Sequence, residues 1–279
     1  MVALLAATAI GVARPSPVAA APTGGINNDA CRPSTAHPNP VVLLHGLGAT
    51  WYEDINVLQV ELALKGYCTF SLTYGAYDGF PLVGGLKPVA ESAAQIKQYI
   101  VGVLAATGAA KVDIVGHSEG GFQSLYVTKT QGISSRIGKV VAIAPPTHGT
   151  TFAGLYNLAP LLGIESEVHA ALEAVGCGAC SDLTNGGAAV ATLNAGPIAQ
   201  PGVKYTIITS RFDELVTPTA TSFVNESGVK NLYVQSSCPF DPVGHIGEAY
   251  DPNVWHLVEN ALSPSTATPI WFCAVGAPL

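Results

Sequence analysis

The sequence predicts an α/β fold, in which a mostly parallel sheet is flanked by helices on both faces. Two observations predict this fold: short apolar segments typical of buried strands recur along the chain, and helical segments alternate with them. The chain has 279 residues, 48% of them hydrophobic, which is enough for one domain with a large core. We therefore expect a single domain over residues 22–279.

The elements follow one another in regular order after an extended lead-in at residues 22–39, which is rich in Pro, Gly and Asn. The predicted strands are residues 41–44, 67–72, 111–115, 139–144, 203–209 and 230–235. Apolar residues recurring near the helical period and a closing amphipathic segment predict helices at residues 90–106, 121–129 and 253–262. Residues 150–201 contain no strong strand, and a segment of that length predicts a cap or lid inserted before the fifth strand.

The first 21 residues predict a signal peptide. Residues 1–12 are apolar, and small residues stand immediately before Pro22, which predicts cleavage after Ala21. An alternative, an apolar helix that belongs to the domain, is disfavoured by Pro15 and Pro17, because proline interrupts a helix. We therefore expect the mature chain to be secreted and extracellular.

The charge composition excludes some classes of partner. Only 11% of residues are charged, the formal net charge is −7, and no run of Lys or Arg occurs. These features disfavour nucleic acid as a partner and electrostatic binding to anionic membranes. Beyond the N-terminal segment, no uninterrupted apolar stretch is long enough to span a bilayer, so no transmembrane segment is predicted.

Six cysteines, an even number in a chain with a predicted signal peptide, indicate disulfides formed in an oxidising compartment. Many pairings are possible, and we favour Cys31–Cys68, Cys177–Cys180 and Cys238–Cys273. The Cys-Gly-Ala-Cys spacing of the middle pair is also compatible with a redox motif or half of a zinc site. No second motif of that spacing exists, and the flanks lack a strand-to-helix context, so we disfavour both alternatives.

The motif Gly116-His117-Ser118-Glu119-Gly120 lies between a predicted strand and a predicted helix. A serine on such a sharp turn projects its hydroxyl above the sheet, and the flanking glycines let neighbouring elements approach without a Cβ clash. The pattern alone is weak in a chain with many glycines, but its position between strand and helix is specific. We therefore predict that Ser118 is a nucleophile.

A serine nucleophile needs a base, and in this arrangement the acid and then the histidine follow the serine along the chain. Among the seven histidines, His245 and His256 come late enough, and only His245 lies in a loop, after the last predicted strand. His256 lies within the last predicted helix. We predict His245 as the base, the alternative being a loop histidine bonded to backbone.

The acid is expected at the end of the strand that follows the cap. Asp213 stands there and could fix the tautomer of the histidine and stabilise its imidazolium form. Glu214, one position later, and Asp241, four residues before His245, are the alternatives. Asp241 is better placed to cap its own turn, so we favour Asp213.

Backbone N–H groups are predicted to bind the developing oxyanion. One is the N–H of Glu119, the residue after the nucleophile, and the other is that of Leu47, in the glycine-rich loop after the first predicted strand. Such donors suit the task because they are fixed in place before charge develops.

Several sequence blocks together resemble a known family. The blocks PNPVVLLHG, GYCTFSLTYG, VDIVGHSEGG, APPTHGTT and PGVKYTIITSRFDELVTP are similar to those of the secreted bacterial triacylglycerol lipases called lipase class 2, of actinobacterial type. The resemblance covers about residues 39–269. It implies an α/β-hydrolase fold, ester hydrolysis without a cofactor or metal, and the roles of nucleophile, acid and base for Ser118, Asp213 and His245.

The resemblance also includes the first and last cysteine pairs, Cys31–Cys68 and Cys238–Cys273. It departs at Glu119, where related lipases usually carry Gln, so a charge near the oxyanion site or only a change in packing is expected there. The implied substrate is a lipid or another ester. The apolar residues 152–164 of the predicted cap either line the acyl site and make transient contact with a lipid interface, or pack as an ordinary core helix.

Three alternative functions remain open from the sequence. A polyester or cutin hydrolase would use the same three residues but would want an open cleft, which the long cap segment disfavours. An acyltransferase would also use them and would need a site that excludes water. A non-catalytic surface-binding module has no need for Ser118, Asp213 and His245 together, and is therefore disfavoured.

Overall fold

The computed structural model describes residues 25–151 and 176–279. In this part of the chain, seven parallel strands form one sheet in the order β1-β3-β2-β4-β5-β6-β7. The strands are β1 (Gly25–Ile26), β2 (Val41–Leu44), β3 (Cys68–Ser71), β4 (Val112–His117), β5 (Ile137–Ile143), β6 (Lys204–Thr209) and β7 (Val229–Tyr233). The central strands β2 and β4 are buried along their whole length because a parallel sheet is covered on both faces.

Helices cover both faces of the sheet. They are α1 (Asn56–Leu64), α2 (Val89–Thr107), α3 (Glu119–Thr130), α4 (Gly178–Asp182), α5 (Ala188–Asn194) and α6 (Pro252–Leu262). Successive strand residues point to opposite faces, so Val42 and Leu44 pack with α2 and α3, whereas Val41 and Leu43 pack with α1 and α6. The sheet therefore separates two hydrophobic cores, and the predicted α/β class is confirmed.

The sequence missed two elements in the N-terminal part. The edge strand β1 has only two residues, too few for an alternation pattern, and lies in the predicted lead-in. Helix α1 buries Leu58 and Leu62 but leaves Val60 and Leu64 exposed. Apolar residues therefore lie all around this helix, and its period is hidden in the sequence.

The structure joins the cysteines in the three favoured pairs. Cys31–Cys68 ties the lead-in to the start of β3, and Cys238–Cys273 ties the loop after β7 to the C-terminal segment. Cys177–Cys180 lies at the start of α4, where Cys177 is the N-cap residue and its Sγ accepts a hydrogen bond from the Cys180 N–H. In the structure these two cysteines thus form a local disulfide at the first turn of α4.

Two predictions fall outside the described residues. These are the signal peptide at residues 1–21 and the apolar part of the cap at residues 152–164. The later part of the predicted cap is described and contains α4 and α5, which pack against the α2–α3 face of the sheet. Among the described helices, none is both long and apolar enough to span a membrane.

Candidate active site

Four loops meet at the carboxyl edge of the sheet, where the ends of parallel strands converge. They follow β2, β4, β6 and β7 and carry Gly46, Ser118, Asp213 and His245 respectively. All the side chains that the sequence predicted as nucleophile, acid and base therefore lie on one edge, although they are far apart along the chain.

Ser118 occupies the turn between β4 and α3 with φ 55° and ψ −121°, a backbone conformation that L-residues rarely adopt. The turn is packed closely against its surroundings. A Cβ on Gly116 would clash with the carbonyl of Gly120, and a Cβ on Gly120 would clash with the carbonyl of Leu44. The two glycines of the motif are thus required by backbone contact, as expected for a strand-turn-helix motif that exposes a serine hydroxyl.

Three side chains form a continuous hydrogen-bonded chain. His245 Nε2 lies 2.8 Å from Ser118 Oγ, and His245 Nδ1 lies 2.9 Å from Asp213 Oδ2. The carboxylate can only accept, so Nδ1 carries the proton and Nε2 is left to accept from the serine hydroxyl. The arrangement therefore holds the histidine in the tautomer that can remove a proton from Ser118.

Asp213 is fixed by backbone donors as well as by the histidine. Its Oδ1 accepts hydrogen bonds of 2.9 Å from the N–H groups of Leu215 and Val216. Burial raises the pKa of Asp213, but the charge and hydrogen bond of His245 and these two N–H donors outweigh it, so the pKa lies below its usual value. Asp213 is consequently an anion that faces the histidine.

The alternative acids and the alternative base have other partners. Glu214 Oε2 accepts a hydrogen bond of 3.1 Å from the backbone N–H of His245, and therefore holds the loop rather than the ring. Asp241 accepts bonds from the N–H of Val243 and from the side chain of Asn253. His256 bonds to the carbonyl of Thr268 on an exposed part of α6.

The loop after β2 presents Leu47 beside the nucleophile. Gly84, in a neighbouring loop, makes two backbone hydrogen bonds with the loop after β2. These run from Gly48 N to Gly84 O at 2.9 Å and from Gly84 N to Ala49 O at 3.0 Å. Among the described residues, the Leu47 N–H has no hydrogen-bond acceptor. The N–H of Glu119 belongs to the first residue of α3 and has no acceptor within that helix. Neither of these two N–H groups is thus used in a hydrogen bond within a helix or a strand.

The side chain of Glu119 is fully buried under this loop. Its Oε1 accepts a hydrogen bond of 3.3 Å from Gln123, and its Oε2 occupies the space in which a Cβ on Gly85 would lie. Burial, aided by the charge of Asp182, raises the pKa of Glu119 well above its usual value. Burial therefore favours the neutral form of this carboxyl, which limits the charge that the departure from Gln adds at the site.

The sequence did not single out Asp54 or the ring of His117 as site residues. Both are buried, and both line a small cavity beside Ser118. His117 Nδ1 lies 2.8 Å from Asp54 Oδ1. The position of His117 next to the nucleophile was visible in the motif, but nothing in the sequence indicates that Asp54 would face it.

Comparisons with known proteins identify the family of this chain. The family model described as class 2 lipase matches residues 38–245. A triacylglycerol lipase from Pseudarthrobacter phenanthrenivorans is 33% identical over 123 residues, which are 41% of this chain and 35% of that protein. One from Burkholderia plantarii is also 33% identical over 123 residues, covering 41% of this chain and 31% of the relative. The match thus spans about a third of the length of these relatives.

Solved structures share the fold. Aspergillus fumigatus lipase B superposes with a TM-score of 0.62 at 20% identity, covering 85% of this chain and 56% of that one. The mature lipase BlEst2 of Bacillus licheniformis gives a TM-score of 0.52 at 16% identity, covering 72% of this chain and 86% of that one. At these identities the likeness establishes a common architecture.

Proposed function

This chain belongs to the class 2 lipase family, and on that basis we propose that it hydrolyses carboxylic esters, with triacylglycerols as the substrate class, through an acyl-enzyme. The observation that carries the proposal is the hydrogen-bonded chain from Ser118 Oγ through His245 to Asp213. A nucleophile, a base and a group that orients the base are the components that acyl transfer requires.

The first half of the reaction forms the acyl-enzyme. His245 Nε2 removes the proton of Ser118 as its Oγ attacks the ester carbonyl carbon, and the carbonyl oxygen becomes an oxyanion. The N–H groups of Leu47 and Glu119 bind that oxyanion, and Asp213 stabilises the imidazolium that has formed. His245 then donates its proton to the leaving alcohol, and the tetrahedral intermediate collapses to the ester of Ser118.

The second half regenerates the enzyme. A water molecule gives a proton to His245 and attacks the acyl carbon, and the same two N–H groups bind the second oxyanion. The proton returns to Ser118 Oγ as the carboxylic acid leaves. No step calls for a metal or an organic cofactor, because the side chains supply both proton transfer and charge stabilisation.

The substrate and the place of action form the finer part of the proposal. The apolar residues 152–164, before α4, would contact the acyl chain or a lipid surface. Three disulfides, together with the apolar leader at residues 1–21, support secretion, because disulfides persist in oxidising compartments.

The test is hydrolysis of p-nitrophenyl esters from acetate to palmitate by the mature chain and two serine variants. We expect Ser118→Ala to lower kcat by about six orders of magnitude, because the nucleophile is lost. Ser124→Ala is the matched control: this buried serine of α3 donates to the carbonyl of Gly121 and should retain activity. A folded wild-type chain without activity on any ester would refute the proposal, and a preference for long acyl chains would separate a lipase from a short-chain esterase.

A further inference from the structure

Three buried histidines line the site, and they differ in the hydrogen-bond partners of their ring nitrogens. His245 faces the carboxylate of Asp213 at Nδ1 and the hydroxyl of Ser118 at Nε2, so a neutral ring satisfies both of its contacts. His45 donates from Nδ1 to the carbonyl of Gly46 at 2.8 Å and accepts at Nε2 from the N–H of Tyr74 at 3.2 Å. A neutral ring satisfies both of its contacts.

His117 differs because both of its ring nitrogens face acceptors. Nδ1 lies 2.8 Å from Asp54 Oδ1 and 3.1 Å from Oδ2, and Nε2 lies 2.9 Å from the backbone carbonyl of His245. A neutral ring has one N–H and can satisfy only one of these contacts, unless Asp54 is protonated. Full satisfaction thus leaves two states, an imidazolium with a carboxylate or a neutral pair.

The surroundings favour the ion pair. Asp54 Oδ2 also accepts a hydrogen bond of 2.6 Å from the N–H of Gly46, which stabilises a carboxylate. Burial lowers the pKa of His117, but the charge and hydrogen bond of Asp54 outweigh it and the pKa is raised. The pKa of Asp54 is lowered, because the charge and hydrogen bond of His117 outweigh the effect of burial.

Other titratable groups face this pair from each neighbouring element. The charge of Asp213 adds to the rise in the pKa of His117, and the charge of His45 adds to the fall in the pKa of Asp54. The charge of Asp54 in turn contributes to a raised pKa of Tyr250. The ring of His245 lies 5.0 Å from that of His117 between centroids. None of these groups offers a hydrogen-bond donor to either ring nitrogen of His117 in the described part of the chain.

The pair of His117 and Asp54 also contacts the loops that carry the oxyanion donor and the catalytic base of the proposed reaction. Asp54 accepts a hydrogen bond from the N–H of Gly46, the residue before the oxyanion donor Leu47. His117 is the residue before the nucleophile in the chain. Its Nε2 is hydrogen-bonded to the backbone carbonyl of His245, in the loop after β7. One buried pair therefore touches the loops after β2, β4 and β7 at once.

We propose that His117 is a buried imidazolium, and that its ion pair with Asp54 positions the oxyanion loop and the loop of the catalytic base relative to Ser118. The proposal rests on the proposed ester hydrolysis and adds two positioning residues to it. Neither side chain exchanges a proton with substrate; both act through backbone groups of Gly46 and His245.

The first test reads the protons directly. Histidine-selective ¹H–¹⁵N NMR of the whole chain at mildly alkaline pH should show protons on both ring nitrogens of His117, identified by their loss in His117→Gln. In Asp54→Asn the ring should carry one proton, because the amide can donate to Nδ1 while still accepting from Gly46. A single ring proton in the wild type would mean that His117 is neutral and would overturn the proposal.

The second test is kinetic, with a soluble short-chain p-nitrophenyl ester. Asp54→Ala should lower kcat about 10- to 100-fold with little change in KM, because the reacting groups are misplaced while the substrate pocket is kept. Asp54→Asn should recover most of that loss, since it preserves the hydrogen bonds without the charge. We expect the kcat of the wild type to fall at alkaline pH as His117 loses its proton, and we expect this fall to be absent in Asp54→Asn.

Asp113→Ala is the matched control. Asp113 is a buried carboxylate near the start of β4 that pairs with Lys139 at 2.9 Å, at the opposite end of the strand from His117. It should leave kcat unchanged. Equal kcat values for Asp54→Ala and Asp113→Ala would refute a positioning role, whereas an inactive wild type would refute ester hydrolysis itself. If Asp54→Ala does not fold, the NMR of the wild type and the kinetics of Asp54→Asn still decide.

Discussion

Glu119 stands directly after the proposed nucleophile, yet its side chain is turned away from solvent and lies under the oxyanion loop. A buried carboxyl with a single donor, Gln123, is more stable as the neutral acid. Glu248, near Asp213, has the same character, since burial and the charge of Asp213 raise its pKa well above the usual value. The pKa of Asp213 is thus lowered beside the base, whereas that of its neighbour Glu248 is raised.

This environment predicts that Glu119→Gln stabilises the fold increasingly as the pH rises. The unfolded chain loses the proton of this carboxyl near pH 4.5, whereas the folded chain keeps it to higher pH. In that window the wild type therefore loses stability with rising pH, by at most about 1.4 kcal/mol per pH unit, and the amide does not. Urea unfolding of both chains at a series of pH values measures the difference. Parallel stability curves would contradict the prediction.

At the scale of elements, most strands and helices could be predicted, because burial on both faces of a parallel sheet requires continuous apolar segments. Helix α1 could not, since exposed Val57, Val60 and Leu64 hide the buried stripe of Leu58 and Leu62. What decides which of these leucines is buried is the position of the helix against the sheet, which a local pattern does not contain.

The packing of α1 gives a second prediction. Leu58 is fully buried in the core shared with α6, so Leu58→Ala should lower the free energy of unfolding by about 2–5 kcal/mol. Leu64 is 79% exposed on the same helix, and Leu64→Ala should change it by less than about 0.5 kcal/mol. Denaturant unfolding of the two variants distinguishes the buried stripe from the exposed one. Similar losses in both would mean that the orientation of α1 is wrong.

At the scale of the whole molecule, two disulfides join parts of the chain that are far apart in sequence. Cys31–Cys68 and Cys238–Cys273 span 37 and 35 residues, whereas Cys177–Cys180 spans 3. The C-terminal segment that follows Cys273 packs against the base loop, where Ala277 O accepts a hydrogen bond from Gly244 N at 2.9 Å. The last disulfide thus restrains a segment that supports the loop of His245.

Loop length therefore predicts unequal effects of disulfide removal. Replacing Cys238 and Cys273 together by Ser should destabilise the fold by about 3–4 kcal/mol, because the unfolded chain regains the entropy of a long loop. The same double replacement at Cys177 and Cys180 should cost roughly half of that at most. Thermal and urea unfolding of the two double variants provide the comparison. Equal losses would show that native contacts around the disulfides, rather than loop closure, set their contribution.

The sequence by itself determined the α/β class, the strand-turn-helix position of Ser118, and the order in which an acid and a histidine follow it. Each of these depends on local pattern: apolar runs, glycines around a turn, and a residue at the end of a strand. From this the sequence predicted Asp213 and His245, and the structure brings both to Ser118.

Only the tertiary structure decided which groups face one another across loops. The partnership of Asp54 with His117, the backbone role of Glu214 and the burial of Glu119 all arise where loops from different strands converge. The carboxyl ends of parallel strands bring residues together that are separated by 63 positions in the case of Asp54 and His117. No local pattern encodes such a contact, because it depends on strand order in the sheet rather than on spacing in the chain.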